Sequence, residues 1–421
     1  MPSLVRTAQA RAATGRRALI VCSLLALSAG AAHAAPDEEA LGRARGYPRG
    51  TPQEATAERH KVGSFSALDE IMPSRPVARE GPVWPLAAGE PPPEIRYSFE
   101  GQTFTLEDYL QRRRVTSLLI VKDGALRLER YQYERTPQQR FISFSMAKSI
   151  TSLLVGMALE RGLIRSLDDT AQTYAPELQG SAYGAATLRH LLLMGSGVRW
   201  TEDYGGRDDV ADLWGALFRV HRGGDPTAVL TARRPQDAPP GSRFKYSSGE
   251  TQVLCHVLHG ATRRSVAEIT QEWLWKPLGA EADASWLVGW QGIEYCAGGF
   301  NATARDYARL GMLLANEGAR AGQAVVPRDY LRQATDNALV PAGFRVNEAG
   351  PGFGYGYQFW LGGGRVRSYA LIGVYGQSIT VVPAHGLVIV HTAVWPLSSD
   401  EASRRERSAF LNGVLQAFGA R

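Results

Sequence analysis

Hydrophobic and polar positions change their spacing several times along this 421-residue chain, and each change marks an element. Thr116 to Val121 is β-branched and apolar, Asp123-Gly124 is a turn dipeptide, and Leu126 to Tyr131 follows, which predicts a β-hairpin. Met146 to Arg161 contains no proline and carries Ile150, Leu153, Leu154, Met157 and Leu159 before stopping at Gly162. That pattern predicts a helix that is apolar nearly all round and therefore buried. Residues 163–295 hold helical patterns broken at Gly195-Ser196-Gly197 and Pro239-Pro240-Gly241, a mostly helical block.

Thr303 and Asp306 predict a capping box for a helix running to Ala315 and ended by Asn316 to Gly318. Strands return at Tyr355 to Leu361, Tyr369 to Ile372, Ser378 to Val382 and Leu387 to Ala393, and Glu401 to Phe418 reads as a closing amphipathic helix. Strands at both ends thus enclose helices in the middle. Ala35 to about Gln102 is rich in Pro, Gly and charge, with Pro91-Pro92-Pro93 inside it, and reads as an irregular extension wrapping the domain.

The first 34 residues read differently. Arg6, Arg11, Arg16 and Arg17 precede the apolar run Ala18 to Ala31, and Ala32-His33-Ala34 offers small residues for cleavage, the pattern of a signal peptide for export. The run is too short for a membrane anchor. Arg16-Arg17 leaves the general and twin-arginine export routes both open. With 44% hydrophobic and 21% charged residues the remainder is globular by composition. Its charge is nearly balanced: without the four leader arginines, 43 cations face 41 acids, which removes the main support for a nucleic-acid-binding role. Cys255 and Cys296 remain beyond the leader and could pair in an oxidising compartment, a point that spacing does not decide.

Of the 47 cationic residues only Lys61, Lys122, Lys148, Lys245 and Lys276 are lysines, and Lys148 lies in the apolar run 141–162. A buried lysine can lose its proton, whereas an arginine cannot. Ser145 stands three residues before it, so with Ser145 at the first turn the two side chains share one helix face. The free N–H groups and positive dipole end of the helix start favour the oxyanion formed when a serine attacks a carbonyl. A neutral amine can accept the serine's proton. A second Ser-x-x-Lys, Ser242 to Lys245, opens no long apolar helix and lacks that burial. Tyr246, in Tyr246-Ser247-Ser248, offers a phenol able to relay a proton to a leaving group.

Ser-x-x-Lys, then about a hundred residues of helix and loop, then Tyr-x-Ser, then a Gly-rich strand resemble the serine hydrolases of the penicillin-recognising fold: class C β-lactamases, DD-peptidases and related esterases. The chain is most similar to the 6-aminohexanoate-dimer hydrolase branch over roughly residues 62–418. Residues 144–149 (FSMAKS), 191–197 (LLLMGSG), 244–248 (FKYSS) and 296–303 (CAGGFNAT) carry the resemblance. It implies an α/β (α+β) fold, with an antiparallel sheet of N- and C-terminal strands flanked by helices and a helical subdomain at roughly 163–295. Residues 1–34 are then the signal peptide, 35–104 the extension and 105–421 the hydrolase domain. It implies Ser145 as nucleophile, Lys148 and Tyr246 as the proton-transfer pair, and an oxyanion hole from the N–H groups of Ser145 and Val374. No metal or cofactor is implied.

Two departures shape the expected chemistry. Ser248 stands where β-lactamases have asparagine in Tyr-x-Asn, and Leu371 where they carry Lys or His on the third-motif strand. That cation meets the carboxylate of a β-lactam, so a carboxylic ester or linear amide is the expected small-molecule substrate unless Arg365 or Arg367 replaces the charge. Tyr204 resembles a tyrosine that contacts the amide in the dimer hydrolases, and it joins Ser248 as a substrate-binding candidate. A β-lactamase or DD-peptidase, and a catalytically silent binding module on the same fold, are the alternatives. No nucleic-acid partner and no stable membrane anchor are expected, and the oligomeric state is open. Cys255, His256 and His259 share a predicted helix, but three soft ligands within five positions do not make a metal centre, and His-Glu-x-x-His, Cys-x-x-Cys, P-loop and Gly-x-Ser-x-Gly motifs are absent.

Overall fold

The computed structural model describes residues 35–218 and 224–420, so the expected signal peptide lies outside the described residues. The main sheet has eight strands, in the order Phe353–Tyr355, Trp360–Gly362, Tyr369–Ile372, Ser378–Val382, Leu387–Ala393, Val115–Lys122, Ala125–Tyr131 and Ala87–Ala88. Neighbours are antiparallel except the last pair. N-terminal and C-terminal strands meet at its centre, where Val115–Lys122 pairs with Leu387–Ala393. Both strands are buried on both faces, and their alternation sorts them. Leu119, Val121, Val388 and Val390 join the large core shared with the helical block. Leu118, Ile120, Leu387 and Ile389 pack with Phe410 and Val414 of the closing helix Glu401–Ala417. Such double burial explains their nearly unbroken apolar runs.

A second sheet of four antiparallel strands, ordered Ser74–Val77, Ala284–Leu287, Phe300–Thr303 and Arg140–Ile142, places the catalytic candidates. Its edge strand Arg140–Ile142 leads straight into Ser145 and the helix Met146–Glu160, which is buried along nearly its whole length. Gly162, at φ 69°, follows its end as the left-handed residue the sequence predicts there. Asp123 and Gly124 have φ of 52° and 77°, the left-handed pair that a tight hairpin turn requires.

Four expectations need correction. The segment read as irregular carries short helices at Lys61–Phe65 and Leu68–Ile71 and the strands Ser74–Val77, Arg96–Phe99 and Gln102–Thr105. Elements of four or five residues are too short to display a period. The helical block contains the strand Ala284–Leu287. Tyr355 to Leu361 is two strands, because Gly356 N–H bonds Phe359 O at 2.9 Å and Gln358, at φ 63°, turns the chain. The buried Gln358 amide then donates to the carbonyls of Leu191 and Leu192. Only half of the capping box forms: Thr303 caps the N–H of Asp306, but the Asp306 carboxylate accepts from Glu281 N–H and Arg309 instead of returning to the Thr303 backbone. Among the described residues no helix is long and apolar enough to cross a membrane.

Candidate active site

Ser145 occupies the N-cap position of the long buried helix without acting as a cap, so its hydroxyl is free for other partners. Phe144 before it is held at φ 43°, a left-handed conformation that a phenylalanine adopts only when its surroundings impose it. The Ser143 N–H bond to Phe300 O, at 2.8 Å, anchors this turn to the small sheet.

One turn along, Lys148 is 1% exposed. Its Nζ lies 3.0 Å from Ser145 Oγ, 2.9 Å from Ser248 Oγ and 2.7 Å from Ala297 O. Burial pulls the lysine pKa down to about 8, and the nearby Glu202 carboxylate opposes that shift. The second Ser-x-x-Lys differs in each respect: Ser242 and Lys245 are exposed, and Ser242 Oγ donates to Pro239 O.

The helix Ser248–Thr262 packs beside the serine helix and delivers Tyr246 and Ser248 from its N-terminal end. The Tyr246 ring stacks on Trp360 at 5.7 Å, and Lys148 Nζ lies 5.2 Å from its centroid. Burial raises the phenol well above its usual range, so it stays protonated, with the Ser145 hydroxyl working against the shift. Ser248 is 1% exposed. Its hydroxyl takes Lys148 on one side and donates to Glu202 Oε1 at 2.7 Å on the other, so the structure sets it behind the lysine instead of on an open substrate surface.

Glu202 is the residue that sequence reading missed. Its carboxylate accepts from Trp200 Nε1, the Tyr204 hydroxyl, and both the N–H and hydroxyl of Ser248, at 2.7–2.8 Å. Tyr204 is thereby committed to Glu202, and its backbone, at φ 61°, is pinned by its N–H bond to Asp208. The cue lay two residues away, in the Trp200-Thr201-Glu202-Asp203-Tyr204 stretch, where an acid alternates with two aromatic residues.

The third-motif strand Tyr369–Ile372 runs past the serine, and Gly373 ends it. A Cβ at Gly373 would stand 2.3 Å from Ser143 O and 3.1 Å from Ser145 N, so only glycine permits this approach. Among the turn and loop bonds of the described residues, neither Ser145 N–H nor Val374 N–H reaches a backbone carbonyl, whereas Gly373 and Tyr375 do. Leu371 is wholly buried. Arg367 is tied to Glu317 and Thr335, and Arg365 lies on the rim of a separate cavity near Asp336.

The Beta-lactamase family model matches residues 105–411. The chain belongs to the Beta-lactamase family. It is 28% identical over 373 residues to the 6-aminohexanoate-dimer hydrolase of Paenarthrobacter ureafaciens, covering 86% of this chain and 92% of that one. A solved Bacillus anthracis structure, assigned as a 6-aminohexanoate-dimer hydrolase, is 25% identical with a TM-score of 0.77, over 86% of this chain and 95% of that one. The structure of a family VIII carboxylesterase shares the fold, at 16% identity and a TM-score of 0.54, over 73% and 93% of the two chains. This member of the Beta-lactamase family is therefore a hydrolase of the β-lactamase fold, and the expected fold class holds.

Cys255 and Cys296 form a disulfide with Cα atoms 5.8 Å apart. The bridge joins the helix that carries Ser248 to the residue beside Ala297, whose carbonyl holds Lys148. Cys255 Sγ, His259 and Glu294 lie within 4.8 Å of one another, but the sulfur is spent in the bridge, and Glu294 pairs with Arg75 and with His259 at 2.7 Å.

Proposed function

We propose that this chain cleaves a carboxylic ester or linear amide through an acyl-serine intermediate. The observation that carries the reading is the 3.0 Å contact between Lys148 Nζ and Ser145 Oγ, with the lysine pKa lowered to about 8 by burial. Neutral Lys148 takes the hydroxyl proton as Ser145 Oγ bonds to the carbonyl carbon. The negative charge gathers on the carbonyl oxygen, toward which the N–H groups of Ser145 and Val374 donate. Collapse breaks the bond to the leaving group, which is protonated through Tyr246 from the pair that received the serine's proton. Water then attacks the acyl carbon by the same route in reverse and frees Ser145.

Similarity to a protein named as a dimer hydrolase supports an ester or amide over a β-lactam, as does the buried Leu371 in place of a cation. Export is part of the proposal, supported by the leader pattern of residues 1–34 and by a disulfide of the kind that persists in oxidising compartments. Treatment with a fluorophosphonate followed by peptide mass spectrometry tests the nucleophile. The adduct belongs on Ser145, and an adduct on Ser242, or none at all, removes the assignment and favours a silent binding module.

A further inference from the structure

A cavity of about 490 Å³ opens beside Phe144, the neighbour of Ser145, within the size range of pockets that take small molecules. We infer that it is a subsite for an uncharged apolar group of the substrate, an aryl or alkyl group. The inference rests on the hydrolase reading above and adds the chemical class of the group held beside the scissile bond. Phe65, Leu68 and Met72 from the N-terminal segment face Trp214 and Phe218 from the helical block across it. Among the described residues no charged side chain lines the cavity, so from them an ammonium or carboxylate entering it would gain no partner for the water it loses.

The cavity is tied to the reacting groups from two sides. Phe144 packs on Phe65 at 5.0 Å and on Tyr375, next to Val374, at 5.5 Å. Trp214 packs edge-on against Tyr295 at 5.5 Å, two residues before Ala297, whose carbonyl holds Lys148. A group seated here would touch Phe144, the residue that precedes the nucleophile in the chain. The N-terminal wall, from Pro52 to Met72, lies outside residues 105–411.

The test uses the full chain and p-nitrophenyl alkylphosphonates, which bond through phosphorus to the serine Oγ as p-nitrophenolate leaves. Labelling rates are compared for methyl, hexyl and 6-aminohexyl phosphonates. Since each buried methylene is worth about fourfold, the hexyl reagent should label at least about tenfold faster than the methyl one. The ammonium form should lose that advantage. Thr56 is exposed and lines the cavity, so Thr56→Trp narrows it without disturbing the core. It should abolish the hexyl preference and leave methyl labelling within about twofold of wild type. Trp214→Ala provides a second variant that alters the opposite wall. Equal labelling by all three reagents, or a hexyl preference untouched by both variants, overturns the subsite. Absence of labelling at Ser145 by every reagent instead overturns the nucleophile assignment on which the subsite rests.

Discussion

Lys148 Nζ stands 2.9 Å from Ser248 Oγ, and through that hydroxyl the lysine is coupled to a carboxylate it does not touch. The lysine therefore answers to two opposed influences, burial that favours its neutral form and Glu202 that favours its charge. On the proposed mechanism, their balance sets the pH at which the site becomes competent.

Acylation should rise with pH through about 8, as Lys148 passes from ammonium to amine. Removing the Glu202 charge deletes the influence that raises the lysine pKa, so Glu202→Gln should move this limb toward lower pH. A pH profile of kcat/KM for wild type and variant measures the shift, and movement toward higher pH would show that the coupling has the wrong sign.

Lys148→Arg keeps the positive charge and removes the ability to act as a base. We expect acylation to fall by roughly 10²–10⁴-fold, the usual loss for a general base. Circular dichroism confirms that the variant folds, and turnover near the wild-type level would reduce Lys148 to an ion-pair partner.

Linear p-nitrophenyl esters should exceed a cephalosporin in kcat/KM by about ten- to a hundredfold from the missing carboxylate contact alone, since a charge-assisted hydrogen bond is worth roughly 1.5–3 kcal/mol. Leu371 is buried and Arg367 is already paired, so neither supplies that contact. A clear preference for the cephalosporin would promote the β-lactamase reading.

Glu250, in the first turn of the helix Ser248–Thr262, is 1% exposed and its Oε2 atom has no partner among the described residues. Burial raises its pKa from 4.5 to about 8, against the opposing hydrogen bonds from Ser196. The folded state thus holds a proton that the unfolded chain has released between pH 4.5 and 8. This contribution is complete below pH 4.5 and is lost as pH rises through about 8. Glu250→Gln should flatten the decline of Tm across that interval, and thermal melts at pH 5, 6.5 and 8 would reveal it.

Cys255→Ser should lower stability by up to about 4 kcal/mol on the chain-entropy estimate, because the bridge closes a 41-residue separation. Thermal melts of the wild type with and without reductant give the same comparison without a substitution. Identical curves would mean that the bond does not form in the folded protein.

How far the sequence could be read follows from how local each feature is. Ser145 and Lys148 are one helical turn apart, so their contact was visible as spacing, and Tyr246 was placed by its order along the chain. Strands buried on both faces were found nearly to the residue, because Leu387 to Val390 is apolar without interruption. Glu202 was invisible because its partner Ser248 is 46 positions away and meets it only after the helical block folds. The capping box failed for a similar reason: Asp306 had a better use, in accepting from Glu281 and Arg309. No local pattern announces such competition.

The pairing of Ser74–Val77 with Ala284–Leu287 means that the limits of the family match are not the limits of a foldable unit. A fragment cut at residues 105 and 411 would leave Ala284–Leu287 as an unpaired edge, strip Ser285 Oγ of its 2.6 Å partner Asp69, and sever the closing helix before Val414. Unpaired edges recruit other strands. Such a fragment is expected to aggregate, and its insolubility would report a missing wall of the molecule, not a defect of the hydrolase domain itself.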